Sequence, residues 1–338
     1  MKNKKPLLII LAVLLVTAMF FLYKIFGPVA HAPGDKYFYI KTGSTYTDVK
    51  RSLLTEHILS STAYFDLLSK WLKYPGAINP GRYEIREGMS LMNLVRMLRN
   101  GTQSPVRLVI NKLRTKENIA AFLGKRFECD SLAVMQFLNN NDSLNRYGLD
   151  SNTAVSAIIP NTYIFKWNTT FPKLFQRLFA AHNKFWNEER KAAADSLQLT
   201  PAQVYTLASI VEEETTKEED KPLIASVYLN RLAKGMKLGA DPTVKFALKD
   251  FSIKRIYQKY LQVNSPYNTY LYAGLPPGPI CTPSILTIDA CLQPAKTNYL
   301  YFVASATRPG YHDFSVTYAE HIKLAKKYQE KLDSLNIH

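Results

Sequence analysis

The chain has 338 residues, more than one domain usually takes, so an anchor or leader plus about two folded units is expected. With 47% hydrophobic and 21% charged residues it is not an intrinsically disordered chain, and its core needs no disulfide staples. A formal charge of +16, from 43 Lys+Arg against 27 Asp+Glu, suits an anionic partner such as a lipid surface or an acidic wall polymer; without a nucleic-acid-binding motif, nucleic acid is set aside.

At the N-terminus, residues 1–6 carry Lys2, Lys4 and Lys5 and are read as a short cytoplasmic segment. Leu7 to Tyr23 is apolar except at Thr17, and Ile25 and Phe26 extend the run over residues 7–26. That is roughly 20 residues, the length of a transmembrane helix. Lysines before the span and a large domain after it predict a single-pass, N-inside anchor in the inner (cytoplasmic) membrane, with the rest exported. Ala30-His31-Ala32 resembles a signal-peptidase site, so a cleaved leader is the alternative; the run is longer than a signal core, which favours an uncleaved anchor.

Between residues 37 and 125 a pattern recurs. Ile40-Lys41-Thr42-Gly43 leads to Asp48-Val49, Ile85-Arg86-Glu87-Gly88 leads to Asn93-Leu94, and a looser copy runs from Ile110 to Asn118-Ile119. In each, an Asx-plus-aliphatic pair follows the strand-ending isoleucine by eight residues. Ser44, Thr45 or Ser90 can cap a helix that follows. The module reads as small strand–helix units and resembles the LysM-like segment of some cell-wall enzymes, which implies glycan binding; a structural spacer is the alternative reading. Residues 126–199 read as a helical connecting region, interrupted at 139–142 and 161–170, with Pro160-Asn161-Thr162-Tyr163 as a turn.

The most informative stretch runs from Pro201 to Thr216. Thr200 as cap and Pro201 at the first helical position predict a helix. Val204, Leu207, Ile210 and Val211 share one face at 100° per residue, and Glu214 continues that stripe. Glu213 falls at its edge and Glu212 on the opposite, outward side. A carboxylate on an inward face must be paired, neutralised or used, and a poorly solvated one can hold a proton for delivery to a leaving oxygen. A solvated acidic helix end, continuous with Glu218, Glu219 and Asp220, is the competing reading.

A second helix is expected from about Asp220 to Gly235. Beyond it, Asp241-Pro242-Thr243-Val244, Tyr267-Asn268-Thr269-Tyr270 and Gly274-Leu275-Pro276-Pro277-Gly278-Pro279 read as loops rich in the hydroxyl, amide and aromatic groups that carbohydrate sites use. Cys129, Cys281 and Cys291 lack CxxC spacing, and His312 and His321 share no ligand spacing, so neither a metal nor another cofactor is expected.

These segments resemble the YceG-like family of membrane-anchored endolytic murein transglycosylases. The resemblance rests on Ala208-Ser209-Ile210-Val211-Glu212-Glu213-Glu214-Thr215 and Ala225-Ser226-Val227-Tyr228-Leu229-Asn230-Arg231-Leu232, on the loop motifs above, and on Pro294-Ala295-Lys296-Thr297 with Tyr299-Leu300-Tyr301-Phe302-Val303. It implies that Glu214, directly before the threonine, is the catalytic acid/base. It further implies a lytic reaction on the MurNAc–GlcNAc bond that leaves 1,6-anhydro-MurNAc ends, terminating nascent strands at the inner membrane beside peptidoglycan synthases. Glu212, Asn230, Asp241, Thr243, Tyr267 and Asn268 are the candidate groove residues. Gly239-Ala240, and Ser284 after Pro283, depart from the family pattern and put loop shape in question rather than the reaction. The expected fold is α+β: a transmembrane helix, a small LysM-like α+β module over 37–125, and a mixed α/β catalytic domain over 200–330. Two other functions compete: a muramidase, for which Asp241 is the candidate second carboxylate, and a non-catalytic peptidoglycan-binding division scaffold. Nuclease and metalloprotease readings lack their motifs.

Overall fold

The computed structural model describes residues 5–334. The chain divides into two compact units, the first made of residues up to Leu108 with Arg126–Cys129 and Ile164–Thr170, the second of Val109–Lys125, Asp130–Tyr163 and everything from Phe171 onward.

The first unit begins with helix α1 (Lys5–Phe26). It is long and apolar enough to cross a membrane, and its side chains are exposed except near its last turn, where Ile25 is buried in the unit's core. Next come β1 (Pro28–Ala30), β2 (Tyr37–Ile40), α2 (Tyr46–Thr55), α3 (Ala63–Trp71), β3 (Gly81–Glu84), β4 (Met89–Ser90), α4 (Leu91–Asn100) and β5 (Val106–Val109). β1 pairs antiparallel with β4, and β2 with β3 in the register Tyr37↔Glu84 to Ile40↔Gly81. Alternation along the second pair sends Phe38, Ile40 and Tyr83 inward, where they meet Leu53, Phe65 and Leu94.

The recurring Asx has a physical cause. Asp48 is the third residue of α2: its backbone N–H donates to Thr45 Oγ1, and its carboxylate accepts from the Thr45 N–H, closing a capping box. Ser90 accepts from the Asn93 N–H at the start of α4. Thr115 and Asn118 repeat the full box on α5 (Lys116–Gly124), in the second unit.

The second unit continues with α6 (Ser131–Asn139), α7 (Asn141–Asn145), β6 (Thr162–Phe165), α8 (Phe171–Phe185), α9 (Glu188–Ser196), α10 (Pro201–Glu214), α11 (Lys221–Ala233), α12 (Asp241–Leu248), α13 (Ile285–Leu292), β7 (Tyr301–Ala304), β8 (His312–Ser315) and α14 (Tyr318–Ser334). The turn read at 160–163 thus runs directly into a strand. The loop read at Asp241–Val244 is the first turn of α12, with Pro242 at a position where a proline's missing N–H costs nothing.

α10 starts as expected, with Thr200 and Gln203 forming a capping box around Pro201. It is not amphipathic, however: every residue from Val204 to Val211 is buried, because α9, α11, α12 and α13 all pack on it. β7 and β8 form an antiparallel hairpin, Tyr301↔Ser315 to Ala304↔His312, with α14 packed against both strands. The fold is mixed α+β with an N-terminal apolar helix.

Candidate active site

The burial of α10 on all sides determines what happens to the three glutamates at its end. Glu212 does not face outward. Its Oε2 accepts from the Ser284 hydroxyl at 3.0 Å and from the Ser284 N–H and Thr287 hydroxyl, with Lys221 Nζ at 3.6 Å. Lys221 is itself buried, with a side chain 4% exposed. Ser284, the departure from the family pattern, caps α13 and binds Glu212 with the same hydroxyl. Glu213 takes a two-pronged bond from the Arg114 guanidinium, at 3.1 and 2.9 Å, and has Lys112 Nζ at 3.3 Å. Burial raises the Glu213 carboxyl, but Arg114 and Lys112 outweigh it and hold the group below its ordinary range.

Glu214 is treated differently. Among the described residues no cation pairs with it directly, and its one side-chain bond is to the Tyr228 hydroxyl, which donates to Oε1 at 2.5 Å. Burial pushes its carboxyl up to about 7. The Tyr228 bond pulls the other way, Asp241 adds to the rise, and Lys245 and Arg231 offset part of it. As the last residue of α10, Glu214 also sits at the negative end of a helix, which disfavours a second negative charge there. Tyr228 and Arg231 share a face of α11 at i, i+3 spacing.

Glu214 lines two cavities. One, of about 610 Å³, is bounded by Glu212, Glu213, Thr216, Lys112, Arg114 and the β7–β8 hairpin around Ser305 and His312. The other, of about 370 Å³, is aromatic, with Tyr270, Tyr301, Phe302 and Tyr318 joined by Arg231, Asp241 and His321. Arg231 is fixed by bonds to the Leu300 and Leu238 carbonyls, and Asp241 accepts from the Tyr270 hydroxyl at 2.6 Å. A titratable carboxyl therefore stands where a polar trough meets an aromatic one, an arrangement that can bind an extended polyhydroxylated chain on both sides of a proton donor.

Of the residues read from sequence as groove-lining, Glu212 borders the first cavity and Asp241 the second. Tyr267 packs on Phe246 at 4.7 Å and lines a separate hollow with Arg114 and Lys249. The other three are not in the groove. Asn230 spends its amide nitrogen on the Thr297 and Tyr299 carbonyls. Thr243 is 0% exposed, donating to Ala240 O and bonded to Thr269. Asn268, also 0% exposed, donates to Leu261 O and Val263 O and accepts from the Tyr270 N–H. These three shape the loops, because their side-chain donors are taken up by backbone carbonyls.

Sequence reasoning passed over Tyr228, Arg231, Tyr270, Tyr301 and the Asp220–His312 pair, in which His312 Nδ1 lies 2.9 Å from a buried Asp220 oxygen. A signal existed for the first two: Ile224, Tyr228 and Arg231 fall at i, i+4, i+7, so two polar groups continue an apolar stripe, as Glu214 does.

Residues 38–327 match the model of the YceG-like family. The chain belongs to that family. It is 29% identical over 307 residues to an endolytic murein transglycosylase of Bacillus subtilis (strain 168), covering 86% of this chain and 83% of that one. To the endolytic murein transglycosylase of Streptococcus pneumoniae (strain D39) it is 29% identical over 303 residues, covering 79% of this chain and 54% of the relative, so it spans about half the streptococcal length. A 2.6 Å crystal structure of a yceG-like protein from Listeria monocytogenes is similar to it with a TM-score of 0.59 at 28% identity, covering 86% of this chain and 99% of the other.

Proposed function

We propose that this YceG-like protein is a membrane-anchored endolytic lytic transglycosylase of peptidoglycan in which Glu214 is the catalytic acid/base. The observation that carries the reading is the Glu214 carboxyl at the junction of two cavities, held near pH 7 by burial. Such a group is partly protonated at neutral pH and, once it has given its proton away, is a competent base. Glu214 first protonates the glycosidic oxygen between MurNAc and GlcNAc. As a carboxylate it then takes the proton of the MurNAc C6 hydroxyl, whose oxygen attacks C1 and closes the 1,6-anhydro ring. The nucleophile belongs to the substrate, so no second carboxylate is required.

Cavities on both sides of the acid suit cleavage within a strand. The aromatic one offers ring faces to the sugars, and the other offers Lys112 and Arg114 near the acidic substituents of the wall polymer. The apolar helix supports anchoring in the inner membrane, and the LysM-like resemblance of residues 37–125 supports added glycan contact, both consistent with action on nascent strands beside synthases.

One observation favours the muramidase alternative: Asp241 lines the same cavity as Glu214. The two are separated by digesting purified peptidoglycan with the full-length protein in detergent, beside Glu214→Gln. Mass spectrometry of the products should show ends lighter than reducing ends by one water molecule, formed only with Glu214 intact. Reducing ends would make the enzyme a muramidase, and equal cleavage by Glu214→Gln would remove that residue from the chemistry.

A further inference from the structure

The first unit carries an apolar hollow of about 390 Å³ that has no part in the site above. Phe21, Ile25 and Phe26 of α1 form one wall; Leu67 and Trp71 of α3, with Met92 of α4, form the other. The two walls are held together: Ile25 is part of the unit's core, Phe21 meets the Tyr64 ring at 6.0 Å, and α1 packs on both α3 and α4. Only Gly27 separates α1 from β1. α1 is therefore built into the unit rather than tethered to it.

α3 explains the exposed side of the hollow. Its inward face buries Phe65 and Leu68, while Leu67 and Trp71 on the other face are 54% and 71% exposed, unusual for a leucine and a tryptophan so close together. Lys70 and Lys73 flank Trp71 and are exposed, whereas Asp66, the nearby acid, is paired with Lys50 at 2.6 Å. An indole on an apolar surface beside exposed lysines is the composition of a water–lipid boundary.

Helix geometry sets the depth. From Leu7 to Phe26 the apolar run rises about 30 Å, the thickness of a bilayer's hydrocarbon core. Phe21 to Phe26 span the last ~8 Å of that run, at the boundary from which the rest of the chain emerges. Leu67 and Trp71 share a hollow with these residues and lie at the same level.

We infer that Leu67 and Trp71 are a second membrane-contact site: they dip into the bilayer interface beside the anchor, with Lys70 and Lys73 at the anionic headgroups, so that the first unit lies on the membrane. This rests on the reading of α1 as a membrane span. The hollow is continuous with that span, and its occupant is lipid acyl chain.

The test uses full-length protein in vesicles of phosphatidylcholine and phosphatidylglycerol whose acyl chains are brominated near the headgroup or near the bilayer centre. Carbonate extraction on the same vesicles reports whether α1 is inserted. Tryptophan emission should be quenched more by the shallow bromines than by the deep ones, and that difference should vanish in Trp71→Phe, which isolates Trp71 from Trp167 and Trp186. Protein that resists carbonate but shows the same quenching with and without Trp71 would overturn the second contact and leave the anchor standing. Protein released by carbonate would overturn both.

Discussion

The Tyr228 hydroxyl lies 2.5 Å from Glu214 Oε1 and donates to it, joining the last residue of α10 to the middle of α11 where two cavities meet. This bond lowers the Glu214 pKa against the larger effect of burial. Tyr228→Phe is expected to move the alkaline limb of the activity profile to higher pH. It should also lower the maximal rate roughly 10–100-fold, the worth of one hydrogen bond to a charged group. A pH–rate profile of the variant beside the parent checks both; a limb that stays in place would separate Tyr228 from the acid.

Glu214→Gln is expected to reduce turnover by at least about 10²-fold, the usual contribution of a general acid. Its effect on stability has the opposite sign and depends on pH. The Glu214 pKa is raised in the folded state, so below its ordinary 4.5 the carboxyl is protonated in both folded and unfolded chains and costs nothing. Between 4.5 and about 7 the folded state increasingly resists ionisation, and above 7 the cost is complete. Gln escapes this cost. The variant should be the more stable protein above pH 7, by up to about 3 kcal/mol, and lose that advantage by pH 4.5. Denaturant melts at pH 4.5 and pH 8 decide it.

Arg114→Ala should leave Glu213 half-buried beside Lys112 alone, at a cost of roughly 1–3 kcal/mol. Glu213→Gln with Arg114→Ala should recover part of that loss, because no unpaired carboxylate remains. A double-mutant cycle by urea denaturation measures the coupling; additive losses would show that the two-pronged bond contributes little.

Thr243→Val keeps the shape of a fully buried side chain and removes a hydroxyl bonded to Ala240 O and Thr269. It should cost roughly 1–3 kcal/mol of stability while leaving KM for glycan strands unchanged, since nothing buried this deeply touches substrate. A rise in KM at full stability would return Thr243 to the groove.

What the sequence made readable is what is decided locally. Caps at Thr45, Ser90 and Thr200 each depend on a group three residues away, so the starts of α2, α4 and α10 could be seen without a fold. The same spacing logic reached Glu214, though through a picture of α10 as a surface helix that the packing of α9, α11, α12 and α13 replaces. Glu212 was misread for that reason: its partners, Ser284, Thr287 and Lys221, arrive from other helices. Asn230, Thr243 and Asn268 look like sugar ligands in a linear sequence, and only the carbonyls around them reveal that their side-chain donors are spent. Tyr270 and Tyr301 reach the Glu214 cavity from distant segments, and the pairings of β1 with β4 and β2 with β3 are equally non-local.

Ile25 belongs at once to the apolar helix and to the core of the first unit. A flexible tether would absorb any change in the lean of a membrane span; a shared core residue passes it on. Bilayers of different thickness tilt a helix of fixed length by different amounts. With α1 as the membrane span proposed above, hydrophobic mismatch becomes a mechanical input, and the first unit turns with the lipid around that helix.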